Sequence, residues 1–107
     1  MDDATFDKIA RDELAYLEDR FMEVDPDDIE VSSSDGVLRL ELRDGVRIVI
    51  NSHRAARQIW MAAIADAWHF DYQASDGLWR TTASKPAELR ATLSQLINKR
   101  LGLDVAL

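Results

Sequence analysis

The sequence predicts an α+β fold: a two-layer sandwich built in the order helix, six-stranded mainly antiparallel sheet, helix, as a single domain over residues 1–107. Three observations predict it. Apolar residues recur every three or four positions near both ends of the chain, the spacing of one helix face. Between them the period drops to two, in runs of four to seven residues. Those runs are separated by Asp35-Gly36, Asp44-Gly45 and Asp76-Gly77, dipeptides that reverse a chain. Two helices and one half-buried antiparallel sheet satisfy all these apolar stripes when both helices pack on the same sheet face.

The first helix is expected over about residues 4–24. Phe6, Ala10, Leu14, Leu17, Phe21 and Val24 form its inner stripe, and Asp2 or Asp3 can cap it. Pro26 stops it, because the residue before a proline is disfavoured in the helical region. Strands are expected at Ile29–Ser32, Val37–Leu42, Arg47–Asn51, Gln58–Ala63, Ala67–Gln73 and Leu78–Thr81. Leu38, Leu40 and Leu42 alternate with Arg39, Glu41 and Arg43, so one sheet face is buried and the other wet. Asp44-Gly45, between Leu40, Leu42, Ile48 and Ile50, reads as the strongest two-residue hairpin turn. After Ser84-Lys85-Pro86, with the proline in a first helical turn, Leu89, Leu93, Leu96, Ile97 and Leu101 mark a second helix that Gly102 ends.

Composition narrows the chemistry. A chain of 107 residues buries roughly 65% of the surface its unfolded form exposes, enough for one core and not for a deep active-site cavity. Absence of cysteine excludes disulfides, thiolate metal sites and a cysteine nucleophile. The start lacks the features of a signal or transit peptide and no apolar stretch approaches bilayer length, so a cytoplasmic protein is expected. The net charge of −7 opposes binding to nucleic acid or anionic membrane. That charge is confined: residues 1–30 carry twelve acids against three bases, whereas the remaining residues carry eight acids and ten bases.

This acidic segment is the first candidate site. Asp12, Asp19 and Glu23 share a helix face with Glu18 beside them, and Asp25, Asp27, Asp28 and Glu30 continue the charge into the first strand. Exposed carboxylates without cysteine or histidine suit hard cations, in weak and multiple sites rather than one cage. His53 and His69 have no partner at helical spacing and read as surface residues. The second candidate is the open sheet face. With Ile59 and Met61 turned to the core, Gln58 and Trp60 point to solvent, and an exposed tryptophan near Asn51 and Arg57 is a natural interface anchor. No phosphate loop, nucleophile elbow or paired-carboxylate cleft is present.

Several segments together resemble the frataxin family, in its bacterial branch, from Phe6 to Gly102. They are the acidic helix ending in Glu18-Asp19-Arg20, the Asp-rich approach to the first strand, Asp35-Gly36-Val37-Leu38, Ile48-Val49-Ile50-Asn51, Arg57-Gln58-Ile59-Trp60-Met61-Ala62, His69-Phe70-Asp71 and the late Trp79. The chain departs from the family's usual residues at His53, at Ala55-Ala56 and at Ala65-Asp66-Ala67, all around the sheet-face loops. The resemblance implies weak Fe²⁺ and Fe³⁺ binding at Glu18, Asp19, Glu23, Asp25, Asp27, Asp28 and Glu30. It implies partner contacts through Asn51, Gln58 and Trp60 with a cysteine desulfurase and an iron-sulfur scaffold protein. The implied role is an iron-dependent regulator of, or iron donor to, cluster assembly, by a protein that is monomeric without iron and open to iron-driven oligomerisation. The alternative is a ferroxidase or iron-storage protein, against which the lack of a Glu-x-x-His motif weighs.

Overall fold

Residues 1–107 are described by a computed structural model. Asp2 begins the first helix, α1 (Asp3–Met22), by accepting a hydrogen bond from the Thr5 backbone N–H at 2.8 Å. The helix ends slightly before its apolar periodicity does. The N–H groups of Glu23 and Val24 bond three residues back, to Arg20 and Phe21, so the last turn tightens ahead of Pro26. Six strands follow: β1 (Ile29–Ser34), β2 (Val37–Leu42), β3 (Arg47–His53), β4 (Gln58–Ala63), β5 (Asp66–Gln73) and β6 (Leu78–Arg80). They form one antiparallel meander in sequence order, and α2 (Leu89–Leu101) closes the chain. No helix is long and apolar enough to cross a membrane.

The fold class is the expected one, and so is the division of faces. Phe6, Ala10, Leu14, Leu17 and Phe21 of α1 and Leu89, Leu93, Ile97 and Leu101 of α2 meet the inward residues of the strands in one buried cluster. Within it Trp79 takes the edge of Phe6 at 6.1 Å and packs against Tyr72 at 5.2 Å. The sheet's other face is uncovered, so each strand shows it every second side chain.

Two local expectations are corrected. The two-residue hairpin turn is Asp35-Gly36, where both residues have positive φ and Ser34 pairs with Val37. Asp44-Gly45 lies instead in a three-residue loop: Leu42 accepts from Gly45 N–H at 2.8 Å, Leu42 N–H donates to Val46 at 2.9 Å, and Gly45 alone is left-handed. This is a type I turn with a glycine bulge, which Asp44 completes by accepting from Val46 N–H. Pro86 lies outside α2. Thr81 and Ala87 exchange hydrogen bonds and Arg80 bridges to Glu88, holding the chain extended until Glu88 caps the helix by accepting from Arg90 and Ala91 N–H.

One polar group enters the core region. Glu13, on the inner side of α1 with only 5% of its side chain exposed, receives two hydrogen bonds from Arg90 of α2, at 2.7 and 2.9 Å. Arg90 also lies 4.0 Å over the Tyr16 ring, and the Glu13 carboxylate raises its pKa. The pair fixes the two helices against each other, and loss of one member strands the other charge. Glu13→Ala is expected to cost about 2–3 kcal/mol in denaturant unfolding, below the fully buried case because Arg90 retains some water.

The turn between β4 and β5 stores strain. Ile64, exposed over 67% of its surface, has φ +57°, a position where such turns favour glycine. Left-handed backbone costs a β-branched residue ~1–2 kcal/mol, and glycine returns ~0.5–1 through its greater freedom when unfolded. Ile64→Gly is therefore expected to raise stability by about 0.5–1 kcal/mol, read from the midpoint of chemical unfolding.

Candidate functional site

The acidic residues do not form one row. Glu18 turns toward β1 and accepts a hydrogen bond from the Ser33 hydroxyl at 2.5 Å, at the edge of a cleft of about 360 Å³ under α1. Asp12 is paired with Lys8 at 2.7 Å and lies apart from the helix end. Glu23 is the C-terminal cap of α1 and pairs with Arg20 at 3.1 Å. Asp25 accepts from the backbone N–H of Asp27, which fixes the turn after Pro26. Asp28 is half-buried and paired with Arg43 at 2.5 Å, while Asp19, Asp27 and Glu30 are exposed.

What the fold brings together is the end of this run. Asp27, Asp28 and Glu30 line a shallow cleft of about 220 Å³ with Pro26, Arg43 and a fourth carboxylate, Glu41. Glu41 stands on β2 directly opposite Glu30, with Arg47 opposite it on β3. Like charges facing across a strand pair repel, at a cost of a few tenths of a kcal/mol up to about 1. Glu41 was missed in the sequence although its signal was present: a two-residue turn at Asp35-Gly36 fixes the register that sets position 30 against 41.

A second addition comes from the C-terminal tail. Asn98 holds Val105 by two hydrogen bonds, and Arg20 donates to the carbonyl of Ala106 at 2.7 Å. The tail so anchored places Asp104 in a groove with Arg20, Glu23 and Asp28. The donor set along this edge is carboxylate oxygen throughout, which fits hard cations, and no three carboxylate or imidazole groups converge into a ready ligand set.

The open face carries the second group of candidate residues. Asn51, Trp60 and His69 stand side by side on β3, β4 and β5, and His53, Gln58 and Asp71 form the next row. Trp60 points to this face as expected, but it is half-buried. His69 stacks on it at 4.2 Å with ring planes 10° apart, and His53 meets it at 3.8 Å and 71°. The histidines thus take the covering role that long basic side chains often play on such faces. Asn51 is half-buried, its amide donating to the carbonyl of Ser52 at 3.4 Å. Arg57 is absent from this group. It adopts a left-handed conformation and reaches α1, pairing with Asp3.

Other acids are committed to the fold. Hydrogen bonds from Thr5, through side chain and backbone, lower the pKa of Asp2 from 3.8. The Val46 N–H, then Arg100, does so for Asp44, and Arg80, then the Leu78 N–H, for Asp76. A depressed carboxylate stabilises the fold above its unfolded value and loses that contribution as pH falls through the folded one. The melting temperature should therefore drop as pH is lowered below 3.8, and the combined Asp→Asn variant at these three positions should flatten that drop.

Comparisons with known proteins agree with the fold. Residues 1–103 match the family model described as frataxin-like domain. The iron-sulfur cluster assembly protein CyaY of Dechloromonas aromatica is 35% identical over 108 residues, covering 100% of this chain and 99% of that protein. The CyaY of Ralstonia pickettii is 42% identical over 80 residues, 75% of this chain and 68% of the relative. Among solved structures, frataxin from Psychromonas ingrahamii superposes with a TM-score of 0.88 at 25% identity, over 99% of this chain and 97% of that one. Trimeric frataxin from the yeast Saccharomyces cerevisiae, complexed with ferrous iron, gives a TM-score of 0.75 at 30% identity, over 89% and 87% of the two chains.

Proposed function

The chain belongs to the frataxin family, and from that premise we propose that it binds iron weakly on its carboxylate edge and modulates iron-sulfur cluster assembly by docking to the assembly machinery. The observation that carries the iron-binding half is the shallow cleft at the start of the sheet, where exposed Asp27, Glu30 and Glu41 gather beside Asp28, which Arg43 holds, and Arg47 stands opposite Glu41. Carboxylates on a solvated surface, with no enclosing cage, give an affinity in the micromolar range or weaker and little choice among hard cations. Asp19, Glu23 and Asp25 extend the field along the helix end, and Glu18 contributes charge from the neighbouring cleft.

The other half concerns partners. The family's cysteine desulfurase and scaffold protein are the proposed ones, with the acidic edge meeting a basic surface and Trp60, Gln58 and Asn51 forming the anchored contact. Iron on the edge changes its net charge, and through it the association, which makes the protein an iron-dependent regulator or an iron donor in that complex. Ferroxidase sites are usually carboxylate-bridged and often histidine-supported. Here both histidines stand against Trp60 and not among the carboxylates.

Anaerobic Fe²⁺ titration calorimetry tests the edge. Replacing Asp27, Glu30 and Glu41 by the amides is expected to weaken binding at least about fivefold and to leave the melting temperature unchanged or raised, because the Glu30–Glu41 repulsion is relieved. Unchanged affinity would move the site elsewhere. Oxygen uptake following Fe²⁺ addition separates the regulator from the ferroxidase, and a catalytic, carboxylate-dependent uptake would favour the latter. For docking, Trp60→Ala is expected to cost about 2 kcal/mol of binding to the desulfurase–scaffold complex while costing less stability than Trp79→Ala, which removes ~3 kcal/mol or more from the core.

A further inference from the structure

An indole on an open sheet face loses rotamer freedom when it docks, unless something has already fixed it. Trp60 is fixed on three sides. His69 stacks on its ring, His53 meets it from the end of β3, and its Nε1–H donates to Gln58 Oε1 at 2.8 Å. The Gln58 amide in turn donates through Nε2 to Asp71 Oδ1 at 3.1 Å. Gln58 lies two residues before Trp60 on the same face of β4, and Asp71 is the residue opposite Gln58 on β5.

The direction of this relay follows from chemistry. An indole N–H only donates and an ionised carboxylate only accepts, so the amide between them has one workable orientation, oxygen to Trp60 and nitrogen to Asp71. Reversed, it would set N–H against N–H and oxygen against carboxylate. Asp71 is free for this task because its other cross-strand neighbour, Arg80, is paired with Asp76 at 2.6 Å.

We infer that Asp71 is a positioning residue for Trp60: by holding the Gln58 amide in one orientation it fixes the indole as a pre-set anchor for the partner. The inference rests on the reading of the open face as a docking surface, and extends that surface to a residue that makes the contact only through another. Asp71→Ala removes the acceptor, whereas Asp71→Asn keeps an Oδ1 in place and restores the relay.

The positioning role is tested first on the free protein, without any partner, by following the indole and amide side-chain N–H resonances of ¹⁵N-labelled samples. Asp71→Ala is expected to shift the Trp60 Nε1–H and Gln58 Nε2–H₂ signals and to speed Trp60 Nε1–H exchange about five- to tenfold, the value of one net hydrogen bond. The Trp68 and Trp79 indoles should not move, and Asp71→Asn should return both signals close to their original positions. In the same samples, affinity for the cysteine desulfurase–scaffold complex should fall about fivefold in Asp71→Ala and recover in Asp71→Asn. Unchanged Trp60 resonances in Asp71→Ala overturn the positioning role, whatever docking does. Shifted resonances with unchanged affinity in both Asp71→Ala and Trp60→Ala overturn the docking reading instead.

Discussion

Two helices can cover one face of a six-stranded sheet and cannot cover two. Everything else in this molecule follows from that constraint. The inner face takes the apolar half of each strand, seals it with α1 and α2, and leaves the outer face in water from β1 to β6. A side chain's parity along its strand then decides whether it serves the core or faces water: Ile59 and Met61 are buried, and Gln58 and Trp60 between and beside them are not. The Glu13–Arg90 pair supports this arrangement from within the helical layer, tying α1 to α2 where they share the sheet.

The same constraint sorts the charge. Acids on α1 that face the sheet must be paired, and Glu13 is. Those beyond the last helical turn have no layer to answer to, so Asp25, Asp27, Asp28 and Glu30 gather where the chain passes from the helix to the edge strand. Glu41 joins them from β2 because an antiparallel register leaves it no other place. Self-repulsion there is tolerable at the surface, where water and salt screen it, and it is relieved by any cation that binds. Trp60 stands on the same sheet face but nearer the other end of the strands, so charge and aromatic contact occupy separate parts of the molecule.

Much of this was legible in the sequence, for reasons that differ by element. The helix of Phe6 to Phe21 and the strand of Leu38 to Leu42 declare themselves by period, and their facing follows without further information. What period cannot carry is the contact between distant residues. Glu13 looks like one more acid on an acidic helix until Arg90, seventy-seven positions later, is set beside it. His53 and His69 look like isolated surface histidines because only strand pairing brings both to Trp60. Turn chemistry was read for type and not for length: Asp-Gly marked both early hairpins, yet only hydrogen bonding distinguishes the two-residue turn at Asp35-Gly36 from the bulged loop at Gly45. The start of α2 was set by Glu88 and the extended pairing before it, against the usual preference for proline in the first turn.

We propose that cations are held by the carboxylate edge and not by the histidines of the open sheet face. Paramagnetic broadening of backbone amide resonances, as Fe²⁺ is added under anaerobic conditions, tests it most directly. Broadening that begins at residues 27–30 and at Glu41, spreads to Asp19, Glu23 and Asp25, and leaves His53, Trp60 and His69 sharp is the predicted map. Broadening centred on His53 and His69, with the edge unaffected, would contradict it.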